Sequence, residues 1–151
     1  MISIYSNDET TRVINSRASK KKPLVWRRRQ EPSSGRTFTT YERPSLADNK
    51  PIERPDGTKD TFNLGRLIIS IAQAFSHNTQ TARYESLWLA QTVEDELSLS
   101  SEPLSPQRIA QTTHRVLKRY DELAAVQYGA KHGLITTTRR PGRPSLSENA
   151  S

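Results

Sequence analysis

From Asn63 onward the apolar residues of this chain recur at the spacing of a helix, and that periodicity limits the fold more than any other feature. In "NLGRLIISIAQAF" the residues Leu64, Leu67, Ile68, Ile71, Ala72 and Phe75 share one face, behind Asn63 as N-cap. "ARYESLWLAQTVEDELSL" predicts a second helix that buries Tyr84, Leu87, Trp88, Val93 and Leu97. Its consecutive Glu94, Asp95 and Glu96 splay around the helix axis, as a solvated face does. Ser105-Pro106 opens a third helix through Ile109, Thr113, Val116, Leu117 and Tyr120, since proline lacks only an N–H that a first turn leaves unused. A fourth, "DELAAVQYGAKHG", stops at Gly133, which tolerates the left-handed backbone of a C-cap.

The first 45 residues have no helical period. "TRVINSR", "PLVWRRR" and "RTFTTYER" read as short strands between polar turns, and "SKKKP" as an exposed basic loop. "PSLADNKP" is aperiodic and proline-bounded, so residues 46–50 are expected to form a linker. In "PIERPDGTKDTF", Asp56-Gly57 signals a hairpin turn and Pro55 confines its strand to an edge. The expected class is α+β: a small β module over 1–45, a hairpin plus four helices over 51–134, and a disordered basic tail over 135–151.

Charge separates the same regions. Residues 1–45 hold ten Lys/Arg against four Asp/Glu, residues 46–130 nine against eleven, and residues 131–151 four against one. Basic ends around a near-neutral middle suggest segments that grip a polyanion, although such ends can also serve solubility alone. The chain has no cysteine, and His77, His114 and His132 are far apart, so neither disulfides nor thiolate metal sites are available. No apolar run approaches a membrane span, and "MISIYSNDETTR" lacks the layout of a signal peptide, so a cytoplasmic, nucleoid-associated protein is expected. With no cysteine nucleophile, no P-loop and no Ser/His/Asp cluster, an enzyme is not expected.

The candidate contacts to double-stranded DNA are Arg12, Arg17, Arg27, Arg28, Arg29, Arg36 and Arg43, with Lys20, Lys21 and Lys22 on phosphates. Arginine's planar fork suits both phosphate oxygens and a guanine edge, whereas lysine supplies charge. In the tail, "RRPGRP" is similar to an AT-hook, in which Gly-Arg-Pro lies extended in a narrow minor groove; Arg140 and Arg143 would enter it.

"RRRQEPSSGRTFTTYER", with "RVINSR" upstream, resembles the N-terminal zinc ribbon of the NrdR family, bacterial repressors of ribonucleotide reductase genes. "RPDGTKDTFNLGRL" resembles the opening of that family's ATP-cone, a nucleotide-sensing helical domain, and the likeness runs from residue 1 to about 133. It implies a DNA-binding repressor that forms homo-oligomers through its cone and takes ATP or dATP as effector. The cone's nucleotide residues fall on Ile52, Arg54, Asp60 and Arg66, while Pro55, Ala125 and Gln127 replace a cation, a tyrosine and an arginine. The ribbon's four metal ligands fall on Ser3, Ser6, Glu31 and Ser34, so no zinc is expected. The module must then rely on Val13, Ile14, Leu24, Trp26, Phe38 and Tyr41, a meagre core, and is expected to be held by docking onto the rest of the protein or to order only when bound. Two other readings of the same fold stand beside this one: a non-specific nucleic-acid-binding protein and a protein-interaction module.

Overall fold

The structure, a computed structural model, describes residues 1–7 and 10–135. Beyond Ile135 the expected tail, with Arg140 and Arg143, lies outside the described residues.

Three antiparallel strands in the order β1-β2-β3 form the N-terminal sheet: β1 (Arg12–Ala18), β2 (Val25–Gln30) and β3 (Thr37–Glu42). The register sets Trp26 between Arg17 and Tyr41, and Arg28 between Asn15 and Thr39. Gly35, at φ 70, closes the turn between β2 and β3, where a side chain would be strained. The apolar core expected here does not form: Val13, Ile14 and Tyr41 are exposed, while Leu24, Trp26 and Phe38 are only partly covered. Both faces of a three-stranded sheet stay open when no second layer covers them, so its apolar side chains find no common interior.

After the sheet, residues 46–49 form a short helix, α1 (Leu46–Asn49), where the sequence suggests irregular linker. Ser45 caps it by accepting from the Asp48 N–H, and Leu46 drops into the main core. The hairpin follows as expected: β4 (Ile52–Glu53) pairs with β5 (Lys59–Asp60), and Gly57 takes φ 82 in the turn. Pro55 sits in that turn rather than in a strand.

Four longer helices complete the domain: α2 (Leu64–Ala74), α3 (Thr79–Leu99), α4 (Pro106–Tyr120) and α5 (Glu122–Lys131). Asn63 and Ser105 cap α2 and α4 through the Arg66 and Arg108 N–H groups, and Pro106 holds the first helical position. Gly133, at φ 66, follows α5 in the left-handed turn the sequence suggests. The core joins Leu46, Phe62, Leu67, Ile71, Phe75, Val93, Leu97, Val116, Leu117 and Tyr128. Three of the five residues expected to be buried on α3 are exposed, Tyr84 at 69%, Trp88 at 61% and Leu87 beside them. That helix meets α2 and α4 through Ser86, Leu89, Ala90, Val93 and Leu97 instead. Among the described residues no helix is long and apolar enough to cross a membrane.

Candidate functional site

The N-terminal module draws Ser3, Ser6, Glu31 and Ser34 together. Ser6 Oγ donates to Glu31 Oε1 and Ser34 Oγ to Glu31 Oε2. Ser3 also hydrogen-bonds this carboxylate; the three hydroxyls, with the charge of Arg36, hold the Glu31 pKa below its ordinary value. Glu31 is 3% exposed and Ser3 4%. These donors do not fit a structural zinc: neutral hydroxyls are poor ligands for it, and both carboxylate oxygens are already engaged by serines.

The register divides the predicted DNA-contacting residues between the two sheet faces. Arg12, Arg17 and Arg28 share one face with Asn15, Trp26, Gln30 and Tyr41. Arg12 donates to Gln30 Oε1 at 2.8 Å, and Arg28 to Thr37 Oγ1 at 2.9 Å. Arg27 and Arg29 occupy the other face, the first paired with Glu42 at 2.8 Å and the second donating to Thr40. Tyr5 stands edge-on to Phe38 at 6.0 Å on that side, and the Arg36 guanidinium lies 5.4 Å from the Tyr5 ring centre. Lys20 and Lys21 lie exposed in the β1–β2 loop.

Two of the predicted DNA contacts are engaged elsewhere. Arg43 Nη1 donates to Asp95 Oδ1 at 2.9 Å, and Lys22 Nζ stands 3.6 Å from Oδ2, an ion pair beyond hydrogen-bond reach. Asp95 is only 5% exposed, so the acidic triplet on α3 is not the solvated face its sequence suggests. Glu96 instead pairs with Arg115 and Arg119 of α4. Burial raises the Glu94 pKa against the pull of Arg43. Lys50 adds a third tie to α3 by donating to the carbonyls of Leu97, Ser98 and Ser100 at its C-terminus.

In the helical domain, Ile52, Arg54, Asp60 and Arg66 all line one cavity of about 680 Å³. The β4–β5 hairpin forms one wall, the N-terminal turns of α2 and α4 two more, and the end of α5 the fourth. A main-chain bond from Glu53 N–H to the Leu104 carbonyl, 2.8 Å, ties the hairpin to the start of α4. Arg54 Nη2 donates to Asp60 Oδ2 at 2.5 Å; that bond, the Thr61 N–H and the charge of Arg66 lower the Asp60 pKa. Pro55 lines the cavity, whereas Ala125 is packed in the core and Gln127 bonds Ser76, so two of the three noted departures lie away from it.

The sequence reading missed the opposite wall. Tyr128 of α5 and His132, which caps that helix, stack at 4.1 Å, and His132 Nε2 lies 3.0 Å from Ser70 Oγ. Burial, then Lys131, pushes the His132 pKa down, which favours the neutral ring, and burial pushes Tyr128 up. A spacing of four residues on the last helix was the available signal, because it sets two rings one above the other.

Residues 1–42 match a family model described as Transcriptional repressor NrdR-like, N-terminal domain. The chain is 32% identical over 139 residues to the transcriptional repressor NrdR of Thermus thermophilus, covering 90% of this chain and 86% of the relative. The NrdR of Methylibium petroleiphilum is 27% identical over 126 residues, covering 83% and 85%, and that of Carboxydothermus hydrogenoformans 29% over 129 residues, covering 83% and 81%.

Proposed function

The chain belongs to the NrdR family of transcriptional repressors, and from that premise we propose that it represses transcription, in the cytoplasm and without catalysis, by gripping duplex DNA with the open face of its cysteine-free sheet. The observation that carries this reading is the row Arg12, Arg17 and Arg28, set among Asn15, Trp26, Gln30 and Tyr41 on one face. Arginines can bridge phosphates or read guanine edges, while amide side chains suit adenine. Lys20 and Lys21 extend the positive surface beyond the sheet. The opposite face, with Arg27 paired to Glu42 and Tyr5 beside Phe38, is the poorer candidate.

The cone cavity is the site for an ATP or dATP effector in this reading. Its volume lies in the range of small-molecule sites, and the stacked Tyr128–His132 pair offers an aromatic wall to a base. Arg54 and Arg66 face Asp56 and Asp60, so the lining is close to neutral and binding to a triphosphate should be weak. Such an effector would act by shifting assembly of the chain through its cone, provided it binds the assembled and free forms unequally.

The test is a titration of labelled duplexes, one from a ribonucleotide reductase promoter and one scrambled, at two salt concentrations with no nucleotide, ATP or dATP. A promoter preference modulated by nucleotide is the expected result. Arg17→Ala and Arg28→Ala should each lower the slope of log affinity against log salt by about 1. Equal, nucleotide-blind binding to both duplexes would favour a general nucleic-acid-binding role and overturn specific repression.

A further inference from the structure

The buried side chains of the described N-terminal module are Ser3, Thr11 and Glu31, all polar. A zinc ribbon is centred on its metal; here the centre is a carboxylate. We infer that Glu31 is a crosslink standing in the place of a structural metal, tying the N-terminal segment to the β2–β3 turn, so that the sheet keeps its DNA-binding shape in the presence of chelators and thiol oxidants. The functional half of this inference rests on the DNA-binding reading above.

The geometry of the cluster has the features a crosslink needs. Ser6 and Glu31 are 25 positions apart, so their bond closes a long loop, whereas Ser34 secures the carboxylate from within its own turn. The two halves repeat one local arrangement. The Tyr5 N–H donates to Ser3 Oγ at 3.1 Å, and the Arg36 N–H donates to Ser34 Oγ at 3.2 Å. A hydroxyl oxygen that accepts from the backbone has its proton free to point at Glu31, so the polarity of both halves converges on one anion. The turn is closed by Glu31 N–H to the Arg36 carbonyl and Gly35 N–H to the Glu31 carbonyl, each 2.9 Å. At the other end, Thr11 N–H and Oγ1 both donate to the Met1 carbonyl, at 3.0 and 2.8 Å, and hold the N-terminal segment against the sheet's entry. A buried carboxylate without partners would be costly; this one has an acceptor site filled on each oxygen.

Amide hydrogen exchange of the full-length chain, alongside duplex binding, tests the inference. In the native chain, protection of the β1–β3 amides should be the same with and without EDTA; a loss in EDTA would overturn it. Glu31→Gln keeps the size but only one acceptor oxygen, so protection of β1–β3 should fall by about 5- to 30-fold while α2–α5 are unchanged. The pair Ser6→Ala with Ser34→Ala should act in the same way, and unchanged protection in both variants would overturn the crosslink. Lower protection supports the crosslink whatever the duplex affinity, while Arg17→Ala and Arg28→Ala test the DNA-binding reading separately: duplex affinity unchanged in both would overturn that reading and leave the crosslink standing. Changing Ser3, Ser6, Glu31 and Ser34 together to cysteine should create a site for one zinc per chain and make β1–β3 protection EDTA-sensitive. Failure to take up zinc would mean that the four positions do not converge, which overturns the inference.

Discussion

At the scale of single residues, Glu31 carries a pH dependence whose sign follows from its surroundings. Ser34, Ser6 and Ser3 donate to the ionised form, and Arg36 favours it, so the folded pKa lies below the ordinary 4.5. Stability from this group is therefore fully present above the unfolded value and is lost as the pH falls through the lower, folded one. The β1–β3 amides should lose protection on acidification below about pH 4.5, and Glu31→Gln should flatten that part of the profile. A profile identical in both proteins would remove Glu31 as the cause. The residues read correctly from sequence are those whose role is local: Asn63, Ser105 and Gly133 terminate helices by bonds or backbone angles within one turn. The α3 residues Tyr84, Leu87 and Trp88 were misassigned because spacing shows which side chains share a face, not which face meets a neighbour.

At the scale of elements, α3 joins the two halves of the chain. Its Asp95 receives Arg43 from the end of the sheet and Lys22 from the β1–β2 loop, and its last carbonyls receive Lys50. Asp95→Ala removes the carboxylate from a site where it is nearly enclosed, leaving Arg43 without its acceptor. A loss of about 1–3 kcal/mol in urea-induced unfolding is expected. An unchanged midpoint would show that the pairing adds nothing to stability. The same change releases two cations and so should steepen the salt dependence of duplex binding. None of this was legible in the sequence, where three consecutive acids carry the ordinary signature of a solvated helix face. Only the approach of Arg43 and Lys22 to α3 distinguishes Asp95 from Glu94 and Glu96.

At the scale of the whole molecule, a nearly coreless sheet is carried by a well-packed helical domain. The exposed Tyr84, Leu87 and Trp88 leave an apolar strip on that domain, of the aromatic composition that interfaces favour. If the helical domain assembles copies of the chain through this strip, Trp88→Glu should shift sedimentation toward the monomer. It should leave thermal stability within about 0.5 kcal/mol, as expected for an exposed position. An unchanged sedimentation profile would exclude this strip from the interface.

From sequence alone came the α+β class, the hairpin at Asp56-Gly57, the helix ends at Asn63, Ser105 and Gly133, the order of the four long helices, and the concentration of positive charge before residue 46. Each depends on periodicity, turn chemistry or local composition, which act between residues a few positions apart. The sequence also brought Ile52, Arg54, Asp60 and Arg66 into one candidate group through a family resemblance, while leaving Tyr128 and His132 unnoticed. Tertiary structure alone decided that the stacked ring pair stands in the same cavity as Arg54 and Asp60, that Asp95 is enclosed with Arg43 and Lys22, and that Glu31 gathers Ser6 from the N-terminal segment. The physical reason is common to all three: a side chain's partners across 25 or more positions depend on how layers pack, and burial then gives an ordinary carboxylate or ring its particular role.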